Sequence, residues 1–201
     1  LDPAFRALAL ALPSEDDLAQ TLHAGGTTPD PDAIHATRRS LLGAIAAHAG
    51  SELATLYDTM AVPGPYTPDA KAAGKRALRS TALRLLSETD GGERARAQYA
   101  DADNMTEQLS AFSALLSIGK GATAVGAFYE QWSMDRLVMD KWFALQISLA
   151  SPDKAVRACK ALTAHPDFDW KNPNRFRATL GALRMTTAGI HTASGDGYAL
   201  L

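Results

Sequence analysis

Apolar positions recur along this chain at helical spacing, and almost nowhere with the alternation of a strand. The stretch that organises the pattern runs from Asp135 to Leu149. There Val138, Trp142, Leu145 and Leu149 fall at i, i+4, i+7 and i+11, on one stripe of a helix. Trp142 and Phe143 are neighbours, so they point in different directions around it. A helix that is apolar on more than one face is buried between others. The pattern therefore predicts a central helix against which flanking helices pack.

The rest of the chain reads as further helices joined by short turns. Pro3 opens a helix through Leu12, although the alternation of Ala and Leu from Ala7 to Leu12 also suits a strand. Ser14 with Asp17 makes a capping box for a helix through Leu22. Pro31 starts a longer helix through Ala47, with Ile34, Leu41, Leu42 and Ile45 as its apolar face. Gly50-Ser51 breaks it, and Glu52 to Met60 resumes. The run Pro63-Gly64-Pro65-Tyr66-Thr67-Pro68 cannot be helical, because each Pro restricts the residue before it. Helices follow over Asp69 to Ser87 and Glu93 to Ala100. Asn104 then caps a helix whose stripe is Met105, Leu109, Phe112 and Leu116. Ala122 to Trp132 precedes the central helix, and Pro152 to Leu162 follows it. Asn172-Pro173 opens a helix reaching Leu183, Gly189 to Asp196 is loop, and a last helix begins near Gly195. The expected fold is all-α, a solenoid-like, superhelical array of antiparallel helical hairpins. Residues 1–201 are expected to form a single helical domain.

Composition excludes several classes. Apolar residues make up 46% and net charge is −2, with both signs interspersed. No basic field exists to attract nucleic acid or an anionic membrane surface, and no apolar run is long enough to span a bilayer. A single cysteine, Cys159, excludes an internal disulfide and fits a reducing, cytoplasmic compartment. The absence of an initiating Met and the apolar ending at Tyr198 to Leu201 suggest a fragment of a longer multidomain protein.

Candidate chemistry is sparse. The histidines, His23, His35, His48, His165 and His191, form no pair at ligand spacing and read as surface or capping residues. Asp101-Ala102-Asp103-Asn104 reads as a loop ending in an N-cap, and Gly119-Lys120-Gly121 lacks the spacing of a phosphate loop. Cys159 reads as a small packing residue. Asn172-Pro173-Asn174-Arg175-Phe176-Arg177 stands apart, because cations at a helix N-terminus oppose the dipole. Each arginine pairs with a carboxylate on a neighbouring helix, or one of them faces a cavity and holds an anionic or carbonyl group.

Several blocks together resemble the C-terminal helical domain of bacterial aminopeptidase N, the zinc-dependent alanyl aminopeptidase. They are Phe5-Arg6-Ala7-Leu8 with Leu12-Pro13-Ser14-Glu15; Asn104-Met105-Thr106; Leu137 to Phe143; Asn172 to Arg175 with Arg177; and Gly195-Asp196-Gly197-Tyr198. They stand in family order and cover nearly the whole chain. The resemblance implies a longer parent with a β-rich N-terminal domain, a thermolysin-like catalytic domain, a small β-sandwich and this helical domain last, cut before the family's C-terminus. The zinc motif HExxH and the substrate motif GxMEN belong to the catalytic domain, and neither occurs here. By the same resemblance this segment has no catalytic residue and no metal ligand. It packs on the catalytic domain, covers the active site and walls the chamber that peptide substrates enter, with Arg177 on the chamber wall. The Ala- and Gly-rich stretch from Ala61 to Pro68 departs from the family at the chamber opening. The alternative is a helical-repeat interaction module with no link to catalysis.

Overall fold

A computed structural model describes residues 2–200. Among the described residues there is helix and no strand. The elements are α1 (Pro3–Ala9), α2 (Glu15–Ala24), α3 (Pro31–His48), α4 (Gly50–Thr59), α5 (Ala70–Asp90), α6 (Glu93–Asp101) and α7 (Met105–Ser117). They continue with α8 (Ala122–Trp132), α9 (Arg136–Ser148), α10 (Pro152–Thr163) and α11 (Pro173–Phe176). A π-turn (Arg177–Gly181) leads into α12 (Ala182–Arg184), followed by α13 (Thr187–Ile190) and α14 (Asp196–Leu200). From α3 to α10 each helix packs on the next, which is the hairpin array the short connections require.

Local chemistry sets the boundaries. Ser14 and Asp17 cap each other reciprocally at the start of α2. Asn104 accepts from the Glu107 N–H at 3.0 Å, and Asp135 accepts from the N–H groups of Leu137 and Val138. α5 stops at Gly91, whose φ of 63° is open to glycine at low cost. The first helix ends at Ala9, so the alternating run to Leu12 is neither a full helix nor a strand. Gly50 does not interrupt the chain for long: Ala49 alone separates α3 from α4. The stretch expected as loop, Gly189 to Asp196, begins inside the short α13, which runs to Ile190.

The core has two hubs. α5 gathers α1, α3, α4, α6 and α7, while α9 gathers α8, α10, α11, the π-turn and α12. α7 touches both, so the helix expected to be central is the centre of the C-terminal half only. Its most buried stripe is also rotated from the expected one. Met139, Phe143 and Ile147 are buried together with Trp142, whereas Val138 and Leu145 are partly covered. The same rotation occurs in α7, where Ala111, Phe112 and Leu115 are deepest. Both helices have neighbours on more than one side, so the largest residues no longer mark the middle of the buried face. In α3, Leu41 is 48% exposed while Leu42 is buried.

Two cationic side chains fasten the N-terminal half. Arg79 lies over the Tyr57 ring, 4.3 Å from its centroid, and pairs with Glu107. Arg76 lies over Tyr66 and donates to the Thr67 carbonyl, so the proline-rich stretch is tied to α5.

Candidate functional site

The block from Asn172 to Arg177 is built on a fixed base. The Asn172 carboxamide oxygen accepts from the N–H groups of Asn174 at 3.1 Å and Arg175 at 3.4 Å. Pro173 takes a first-turn position whose N–H has no helical partner. The helix start is thereby set, and the Arg175 side chain runs onto α9. Its Nε donates to Asp140 Oδ1 at 2.7 Å, and its guanidinium sits 4.4 Å from the Phe143 ring centroid. Nη1 donates to the Asp167 carbonyl. Arg175 is only 4% exposed. A charge so buried persists only when paired and hydrogen-bonded, and here a carboxylate, a carbonyl and a ring face meet that demand.

The loop from Ala164 to Lys171 is pinned beside this pair. Tyr129 Oη donates to Asp167 Oδ2 at 2.7 Å, and that hydrogen bond, with burial second, raises the phenol pKa. The Asp167 N–H donates to His165 Nδ1 at 3.1 Å. The His165 ring stands edge-on to Tyr129, Trp142 and Phe143, with centroids 5.3, 5.4 and 5.6 Å away. His165 thus caps a backbone N–H, as expected of the histidines, and its partly covered ring also fills an aromatic corner. The aromatic run continues through Phe168 to Trp170 and Phe176, which are 62% and 42% exposed.

Arg177 lies at the other end of the chemical scale. It is exposed, and its guanidinium makes no hydrogen bond or ion pair among the described residues. It opens the π-turn, a widening that recurs at functional positions in helices. Thr179 Oγ1 donates back to the Arg175 carbonyl at 2.8 Å, a bond of the kind that bends helices. The block therefore holds one arginine locked by structure and one that is exposed and unpaired among the described residues, where the sequence left both readings open for each.

The remaining candidates resolve structurally. Among the described residues no group of three or more His, Cys, Asp and Glu could hold a metal ion, so these residues do not fit a zinc site. Cys159 is buried against the Thr179 carbonyl, and burial pushes its thiol up to about 11, which keeps it protonated and unreactive at neutral pH. The Asp101 region ends α6 and leads to the Asn104 cap. Sequence reasoning missed Asp140 and Asp167. Asp140 meets Arg175 across 35 residues of sequence, and Asp167 holds Arg175 through its backbone carbonyl, which no residue type signals.

A family model described as a domain of unknown function, DUF3458_C, with ARM repeats, matches residues 1–201. The chain belongs to that family. The DUF3458_C chain is 40% identical over 206 residues to an aminopeptidase N of Caulobacter vibrioides, covering 100% of itself and 23% of that protein. It is 31% identical over 207 residues to aminopeptidase N of Escherichia coli, again covering 23% of it. It thus spans about a quarter of the length of the curated relatives it matches. Its fold is similar to a solved aminopeptidase A of Legionella pneumophila in complex with aspartic acid. The TM-score is 0.87 and the identity 29%, over 100% of this chain and 24% of that one.

Proposed function

We propose that this DUF3458_C chain is the non-catalytic C-terminal helical domain of an aminopeptidase. It packs on the catalytic domain of the same polypeptide, and Arg177 lines the chamber that peptides enter. The observation that carries the reading is the likeness of the whole chain to one quarter of the aminopeptidases N. The zinc of such an enzyme would be held by the catalytic domain, outside these residues. When bound there it would polarise the scissile carbonyl and activate a water. This chain contributes wall and access.

Arg177 suits the wall for a physical reason. Its planar, permanently charged fork can take backbone carbonyls or a terminal carboxylate. Arg175, locked on Asp140 and Phe143, keeps the helix that carries Arg177 in place. One charge-assisted hydrogen bond contributes about 1.5–3 kcal/mol when desolvated, and less in a hydrated chamber.

In the full-length enzyme, Arg177→Ala should raise KM for peptides by roughly three- to tenfold, below the desolvated range because the chamber is hydrated. KM for single-residue chromogenic substrates should stay unchanged, and so should the melting temperature, since Arg177 is exposed. Equal effects on both substrate kinds would contradict the assignment. The second reading, an interaction module, has the ARM-repeat description in its favour, because such arrays present extended binding surfaces. It expects no change in hydrolysis of any substrate on mutating Arg177.

A further inference from the structure

Between α3, α5, the α7–α8 turn and the α9–α10 turn lies a groove of about 850 Å³, well inside the size range of small-molecule sites. Leu42, Leu116 and Val125 give it an apolar floor, and Arg38, Arg39, Arg84 and Lys154 give it a cationic lining. The carboxylates in reach are already engaged. Glu88 takes both donors of Arg39 at 2.7 and 2.8 Å, and Glu15 takes His35 Nδ1 at 2.7 Å. Arg38 uses its Nε on the Pro13 carbonyl at 2.8 Å, which brings no negative charge.

Arg84 is the odd member. It sits in the middle of α5 between the fully buried Leu83 and Leu85 and is itself half-buried. Among the described residues it makes no hydrogen bond and no ion pair. Burial first, then the nearby Arg38, pull its pKa below the usual arginine value. A guanidinium on an open face is satisfied by water and worth little. One held half-desolvated beside two others, with a single engaged carboxylate near, leaves a positive potential that a concave wall concentrates.

We propose that this groove binds a small organic carboxylate, its charged end in the fork of Arg84 with Arg38 beside it and its apolar body on Leu42, Leu116 and Val125. The proposal is independent of the aminopeptidase reading. A carboxylate matches the planar guanidinium two bonds at a time, and the floor gives an alkyl or aryl body somewhere to go.

Calorimetric titration of the intact protein with octanoate, and separately with inorganic phosphate, tests it. Saturable octanoate binding at one site is expected, with phosphate at least about tenfold weaker for want of an apolar body. Arg84→Met should weaken octanoate at least about tenfold, and Lys154→Met, an exposed position, by roughly two- to threefold. The melting temperature is read beside each titration. Should Arg84→Met not fold, Arg38→Met carries the same expectation of weakened binding. Unsaturable octanoate binding, phosphate bound more tightly than octanoate, or unchanged affinity in the folded arginine variants would overturn the proposal.

Discussion

Replacing Arg175 by Ala should cost about 3–5 kcal/mol of folding stability, because it leaves a carboxylate in a partly buried site without its partner. The loss is compound. Asp140 loses the 2.7 Å bond to Nε, the Asp167 carbonyl loses a donor, and the Phe143 ring loses the cation stacked on its face. For a domain of this size each kcal/mol is about 2–4 °C, so the melting temperature should fall by roughly ten degrees. The double change Arg175→Met with Asp140→Leu should recover much of that, because apolar replacement of a buried pair is often neutral. A single variant that melts within a degree or so of the parent would show that the pair does not hold the loop and helix together.

Phe112→Ala should be as damaging, about 3–5 kcal/mol, through the cavity it leaves. Phe112 is fully buried, stacked on Phe128 at 4.9 Å between centroids and tilted against Tyr99 at 6.3 Å. Its position gives the experiment a second use. α7 is the helix that touches both hubs, so loosening it should weaken the whole array. If residues 2–200 form one cooperative unit, thermal unfolding of both parent and variant will be a single transition. Two transitions, only one of which moves, would divide the chain at α7.

Why some of this was readable from the sequence and some was not follows from the range of the interactions. Features fixed within one turn were legible: the Ser14–Asp17 box, the Asn104 cap, and Asn172 with Pro173. Each depends on side chains bonding backbone two or three residues away. The all-helical class was legible for the same reason, since spacing reports a helix before it reports a neighbour. What surrounds each helix was not. The buried stripe of α9 runs through Met139 and Phe143 because helices cover it on more than one side. The π-turn after Phe176 had no signal beyond a Thr able to bond back to Arg175. In the candidate site the sequence singled out the block with its two arginines, and the pairing with a neighbouring carboxylate that it offered as one reading holds for Arg175. The sequence did not name Asp140, 35 residues away, as the partner. The groove around Arg84 was invisible, because its lining comes from segments scattered from Glu15 to Ala158.

The central claim, that Arg177 faces the peptide chamber of a larger enzyme, is most directly tested by placing a photo-reactive benzophenone amino acid at that position. The full-length protein would be irradiated with a peptide whose first amide is reduced and so cannot be cleaved. A second protein would carry the same group at Asp16, exposed on α2. The account predicts a peptide adduct at position 177 that excess substrate suppresses, and none at position 16. No adduct at position 177, or equal and uncompeted labelling at both positions, would contradict it.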